Sequence, residues 1–159
     1  MWNKSLCMLL LGFASSAWAG PNDAVVQQAW IGESVPGQNS ATLELNITTV
    51  QKARLLSVSS KAADKVEIHR VSMHKGKMSA QVVDALPLLA HHTTSFGSDR
   101  LFLILVGLKN ELNIDDHIPV SLVVEYANHR RQTIEVEAIV KKMALSYKHL
   151  GNEKIHDHR

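Results

Sequence analysis

Short apolar segments separated by turn residues run through most of the chain, and this spacing favours an all-β fold. Leu43, Leu45 and Ile47 alternate with polar neighbours, the period-two pattern of a half-buried strand. Seven further segments are predicted as strands, at residues 24–31, 55–59, 66–73, 77–83, 101–106, 120–126 and 133–140. About eight short strands predict an antiparallel β-sandwich, since a parallel sheet would need crossover helices for which there is no room. We expect one helical turn, at residues 60–65.

A two-residue turn at Lys75-Gly76 predicts that the segments on either side of it form a hairpin with a fixed register. Counting outward from the turn gives three cross-strand pairs: Met73 with Met78, Val71 with Ala80, and His69 with Val82. Because alternate residues of a strand point to the same side, all six side chains are expected on one face of the hairpin.

The first twenty residues have the three parts of a secretory signal peptide. Lys4 supplies the positive charge, residues 6–14 are apolar, and Ala17 and Ala19 form a small-residue cleavage site before Gly20. The apolar run is shorter than the about 20 residues that a membrane-spanning helix needs. We therefore predict a cleaved leader at residues 1–19 and a periplasmic protein, the alternative being a buried N-terminal helix.

The single cysteine, Cys7, lies inside this leader. Lys4-Ser5-Leu6 before it lacks the small residues of a lipoprotein cleavage site, so no lipid anchor is expected. The mature chain then has no disulfide and no thiolate chemistry. Residues 20–143 are predicted to form one domain and residues 144–159 a polar, disordered tail, with no membrane span once the leader is removed.

The charge balance argues against a nucleic-acid partner. The chain carries 17 Lys and Arg against 15 Asp and Glu, one of the positive residues is Lys4 in the leader, and the others are scattered. The sequence also lacks a nucleophile elbow, a Walker loop, an HExxH motif and a glycine-rich dinucleotide loop. We therefore expect a protein that is not an enzyme.

Histidine and methionine are the residues after the leader that stand out as metal ligands. All nine histidines and three of the five methionines follow Gly20. Imidazole and thioether groups are the ligands that a soft ion such as Cu(I) uses when cysteine is absent. His156 and His158 lie in the polar tail, where they form either a weak metal-catching segment or simply a solvated chain end.

Three stretches resemble the PCu(A)C family of periplasmic copper chaperones: Ala29-Trp30-Ile31, residues 59–69, and residues 101–109 continuing through 116–125. Together they extend over nearly all of residues 24–141. The resemblance implies a cupredoxin-like β-sandwich that carries Cu(I) and passes it to a periplasmic copper acceptor. In that family, the implicated acceptor is the copper-A centre of cytochrome oxidase.

The same resemblance implies where copper ligands would lie. The family pattern is His, ten residues, Met, twenty-one residues, His, one residue, Met, and it falls without a gap on His69, Ala80, Phe102 and Ile104. Of these four positions, only His69 carries a ligand. Met73 and Met78 share its face but lie four residues away, about 13 Å at about 3.3 Å per residue, too far for one ion to join them to His69.

Two functions of different classes are compatible with this sequence. The first is a copper-binding or copper-delivering periplasmic protein with a degenerate site. The second is a metal-free interaction module in which the former copper site is an apolar contact patch. The choice depends on Phe102, Ile104 and Val106, which are either covered by a loop or exposed where relatives of the family hold copper.

Overall fold

Ten β-strands make up the domain in a computed structural model, which describes residues 23–142. The predicted leader, Met143 and the predicted tail with His156 and His158 lie outside the described residues. The strands are β1 (Ala24–Gly32), β2 (Ser40–Thr49), β3 (Ala53–Ser60), β4 (Ala63–His74), β5 (Lys77–Val82), β6 (Leu86–Leu88), β7 (Thr93–Phe96), β8 (Leu101–Leu108), β9 (His117–Tyr126) and β10 (Arg131–Lys141).

All eight predicted strands are present, and the all-β prediction is confirmed. β6 and β7 were not predicted, because three or four residues are too few to show a periodicity. The helical turn expected at residues 60–65 is wrong. β3 continues to Ser60, a two-residue turn follows, and β4 begins at Ala63. The Ser60 hydroxyl fixes this turn by accepting a hydrogen bond from the Ala62 amide (3.3 Å) and donating one to the Pro119 carbonyl (2.8 Å).

Hydrogen bonds join nine strands in the order β5-β4-β8-β2-β1-β10-β9-β3-β6, and β7 pairs with β2. Every pair is antiparallel except β1 with β10, in which Ile31 lies opposite Val140. The purely antiparallel sandwich that we predicted is therefore corrected at this one pair. β1 and β10 come from the two ends of the domain, so no tight turn connects them and a parallel register is open to them.

One hydrophobic core fills the space between the strands. Leu43 on β2 and Leu103 on β8 are fully buried in the same cluster as Leu55 on β3 and Leu122 on β9. Burial of a side chain of this size contributes about 1.5–3 kcal/mol. Since inward residues alternate with outward ones, burying Leu103 turns Phe102 and Ile104 to the outer face of β8.

Over residues 23–142 the secondary structure consists of strands and turns, so this part of the chain contains no helix long and apolar enough to cross a membrane.

Candidate functional site

The four positions that correspond to the family's copper ligands lie together on the outer face of β5, β4 and β8. His69 on β4 is the direct cross-strand partner of Phe102 on β8, and Ile104 lies opposite Glu67 in the next outward-facing pair. On the other side of β4, the position opposite Val71 is occupied by Ala80. We call the set His69, Ala80, Phe102 and Ile104 the His69 patch. The antiparallel order β5-β4-β8 assembles it.

The register of the β4–β5 hairpin is the one that the Lys75-Gly76 turn predicted. Met73 pairs with Met78, Val71 with Ala80 and His69 with Val82. The turn places Lys75 and Gly76 in the left-handed region, with φ of 49° and 74°. Positive φ at both central residues is the property of the tight hairpin turns that match the twist of the flanking strands.

His69 is held by a carboxylate from its own strand. Its Nε2 donates a hydrogen bond to Glu67 Oε2 at 2.9 Å, and Lys65 Nζ contacts Glu67 Oε1 at 2.5 Å. The hydrogen bonds from Lys65 and then His69 stabilise the ionised carboxylate and lower the pKa of Glu67 below its ordinary value of 4.5. Lys65, Glu67 and His69 point to the same side because each is two residues from the next along β4.

This hydrogen bond sets the tautomer of His69. With Nε2 carrying the proton that Glu67 accepts, Nδ1 is the nitrogen left with a lone pair for an ion. A carboxylate that orients a metal-binding imidazole in this way is a common feature of metal sites. The His69 side chain is 19% exposed, so the ring lies at the surface but is not free to rotate in solvent.

The rest of the His69 patch supplies no further donor. Ala80, Phe102 and Ile104 end in hydrocarbon groups, and no group of three or more His, Cys, Asp or Glu that could hold a metal occurs among residues 23–142. A single imidazole does not fit the multiple soft donors that a Cu(I) site uses. By the chemistry of its side chains, the patch offers one metal ligand, His69.

Met73 and Met78 form a second feature of the same outer face. They are direct cross-strand partners near the tip of the hairpin, and their side chains are 59% and 72% exposed. Four residues of strand separate Met73 from His69, about 13 Å. The structure therefore does not bring the thioether pair to His69.

Phe102, Ile104 and Val106 are half-buried. The sequence had offered two alternatives for them, covered by a loop or exposed, and the structure matches neither. They belong to the outer face of β8, whereas the core cluster takes Leu101, Leu103 and Leu105. Neighbouring outer-face side chains on β4 and β2 shield them in part. Val82, the hairpin partner of His69, adds a side chain that is 55% exposed. The outer face around His69 thus combines apolar side chains on β8 and β5 with the charged Lys65 and Glu67 on β4.

Sequence reasoning missed Glu67 and Lys65 as partners of His69. The signal was present, because both residues precede His69 by even numbers in a predicted strand and therefore share its face. Nothing in the sequence, however, distinguishes an oriented carboxylate from a solvated one.

The strand order and the His69 patch define a cupredoxin-like β-sandwich of the PCuAC type. The family model LpqE-like, described as "Putative lipoprotein LpqE-like", matches residues 24–140. The chain therefore belongs to the LpqE-like family. Among curated protein sequences, none matches this chain significantly.

Solved structures of PCuAC domains share this fold. The copper-bound PCuAC domain from PmoF2 has a TM-score of 0.62 at 17% identity, covering 76% of this chain and 94% of that domain. Apo-DR1885 from Deinococcus radiodurans has a TM-score of 0.58 at 21% identity, covering 90% and 95% of the two chains. The Cu(I) form of DR1885 has a TM-score of 0.57 at 22% identity, covering 80% and 83%.

Proposed function

We propose that this protein is an exported, periplasmic copper-handling protein, not an enzyme, in which the copper site is reduced to one imidazole. The observation that carries the proposal is His69. It occupies the first ligand position of the family pattern on the outer face of the sandwich, and Glu67 holds its ring with Nδ1 available. The copper-bound and Cu(I) states of similar domains support copper as the cargo.

The chemistry of the site predicts weak, exchangeable binding. One nitrogen donor with three hydrocarbon neighbours leaves most of the coordination of Cu(I) to groups from elsewhere. A periplasmic acceptor protein that supplies those groups would take the ion easily, because only the bond between the ion and His69 has to break. Delivery to the copper-A centre of cytochrome oxidase is the specific form of this proposal.

Met73 and Met78 are the second contributor that we propose. Directly opposed residues of an antiparallel pair have Cβ atoms about 4.5–5.5 Å apart, a separation that lets two thioethers approach one soft ion. Their exposure at the hairpin tip would make them an encounter site on the same face as His69. His156 and His158, which lie outside the described residues, remain proposed as a separate metal-catching segment.

Competition of the mature protein with a Cu(I) chelator tests the proposal. We expect binding weaker than that of a four-ligand PCuAC domain, and further weakening in His69→Ala. His117→Ala is the matched control. His117 also contacts a glutamate, Glu137 at 3.2 Å, but it lies on β9 and is not part of the His69 patch.

Two results would contradict the proposal. Binding as tight as in a four-ligand relative would mean that the site is not degenerate. Cu(I) binding that is the same in wild type, His69→Ala and His117→Ala would remove the role of His69.

A metal-free interaction module is the second candidate, and the half-buried apolar outer face favours it. Phe102 and Ile104 replace donors with hydrocarbon, and Val82, across β4 on the other side of His69, is largely exposed. Exposed apolar surface is a common feature of protein contact sites. If Phe102→Ser abolishes capture of a periplasmic protein while His69→Ala does not, the patch acts as a contact surface without metal.

A further inference from the structure

An open cavity of about 450 Å³ is lined in part by Val71, the cross-strand partner of Ala80, but by none of the four residues of the His69 patch. One wall comes from β4 and the start of β8, and the other comes from β6 and β7. Its lining includes Arg70, Arg100, His92, Thr94, Leu86 and Leu101. The volume is within the range of about 300–1,000 Å³ that is typical of small-molecule sites.

The cavity is separate from the His69 patch although Arg70 follows His69 directly. Successive residues of a strand point to opposite faces, so Arg70 lies on the side opposite to His69, where it is exposed. Arg70 is the cross-strand partner of Leu101, whose side chain is buried at the edge of the core. The base of the Arg70 side chain therefore stands beside the apolar floor of the cavity.

Arg70 and Arg100 both line the cavity, and both are exposed. Val71 N donates to the Arg100 carbonyl at 2.8 Å, which fixes the Arg100 backbone beside Arg70. Within the described part of the chain, neither arginine takes part in an ion pair. Asp99, the one acid of the lining, instead accepts a hydrogen bond from the Ser95 amide at 2.9 Å. Two arginines against one carboxylate give the lining a net positive charge, which favours a bound anion.

The floor of the cavity is hydrocarbon. Leu86 on β6 and Leu101 on β8 are buried members of the core cluster whose outer surfaces line the cavity, and Pro87 extends the floor along β6. A ligand that satisfied the two arginines would therefore have its remaining atoms against apolar side chains. Inorganic anions would leave this floor unused.

We propose that this cavity binds a small organic anion in which a carboxylate is attached to an apolar chain. Arg70 and Arg100 hold the carboxylate, for which the planar guanidinium fork is well suited. Leu86, Pro87 and Leu101 contact the apolar chain. This inference does not depend on copper, and none of the four residues of the His69 patch lines the cavity.

Titration of the mature protein with octanoate, followed by calorimetry and amide NMR shifts, tests the proposal. Acetyl-Leu-Leu is titrated in parallel. Tighter binding of octanoate would indicate a free aliphatic acid as the natural ligand, and tighter binding of acetyl-Leu-Leu would indicate a peptide carboxyl terminus. We expect saturable binding with shifts at Val71 and Leu101. Octanol, which lacks the charge, and inorganic phosphate, which lacks the chain, should each bind about tenfold more weakly or worse.

Variants identify the groups responsible. Arg70→Gln and Arg100→Gln should each weaken binding about tenfold with unchanged thermal unfolding. Arg131→Gln, which removes an exposed arginine on β10 outside the cavity, should leave the affinity for the acid unchanged. His69→Ala should also leave it unchanged, which separates this result from the copper proposal. Binding of neither acid, equal binding of octanol, or insensitivity to both cavity variants would overturn the proposal.

Discussion

His69 on β4 and Phe102 on β8 are direct cross-strand partners on the outer face of the sandwich. Directly opposed residues have Cβ atoms about 4.5–5.5 Å apart, which is the separation at which two side chains can share one ion. In this chain one member of the pair is an imidazole oriented by Glu67 and the other is a phenyl ring. The strand register thus holds the two side chains at a distance suited to a shared metal ion, and only His69 of the pair carries a donor.

Restoring the donors should restore copper affinity. The triple variant Ala80→Met, Phe102→His and Ile104→Met places soft donors at the three positions around His69 that the strand register brings together. We expect its Cu(I) dissociation constant to fall by at least about tenfold, or about 1.4 kcal/mol, in a chelator competition.

The control for this experiment is the same triple variant with His69→Ala, which should lose much of the gain. If the triple variant folds, as judged by its unfolding transition, and binds no better than wild type, the alignment of the ligand positions is wrong.

Truncation of Phe102 should cost much less stability than truncation of its neighbour Leu103. Phe102 is half-buried on the outer face and lies outside the core cluster, whereas Leu103 is fully buried in it. We expect about 1 kcal/mol for Phe102→Ala and about 2–5 kcal/mol for Leu103→Ala, both from urea unfolding. Equal losses for the two variants would show that Phe102 belongs to the core and would count against an apolar contact patch.

The stabilising effect of Glu67 should depend on pH. Lys65 and then His69 lower the pKa of Glu67 in the folded protein below 4.5. A group with a lowered folded-state pKa contributes stability above its unfolded-state pKa and loses it as the pH falls through the folded-state value. Wild type should therefore be more stable than Glu67→Gln at neutral pH, with a difference that shrinks as the pH drops below 4.5.

NMR titration of the Glu67 carboxyl checks the cause of this pH dependence. Lys65→Met should move the pKa of Glu67 upward, toward 4.5, because it removes the hydrogen bond that lowers this pKa most. A Glu67 pKa at or above 4.5 in the wild type would contradict the prediction.

The exported protein should begin at Gly20. Ala17 and Ala19 are the small residues that signal peptidase recognises, and Lys4-Ser5-Leu6 before Cys7 does not form a lipoprotein cleavage site. The intact mass of protein recovered from the periplasm measures the cleavage point. A mass that includes Cys7 with an attached lipid would instead match the lipoprotein description of the LpqE-like family.

Several features could be predicted from the sequence because they depend on neighbours along the chain. The period-two alternation at Leu43, Leu45 and Ile47 predicted β2, and similar local patterns predicted seven other strands. The Lys75-Gly76 turn predicted the hairpin register, because a two-residue loop leaves little freedom in how its strands pair. The resemblance then gave four ligand positions, of which His69 alone retains a donor.

Other features depend on contacts between distant segments, and only the tertiary structure decided them. The parallel pairing of β1 with β10 joins the two ends of the domain. The pairing of β4 with β8 sets His69 opposite Phe102 and turns Arg70 toward the cavity beside Leu101. By itself, the sequence determined the strands and the nearest turn, since periodicity and turn chemistry act over a few residues. Which strands meet, and so which side chains form a site, depends on burying one shared core.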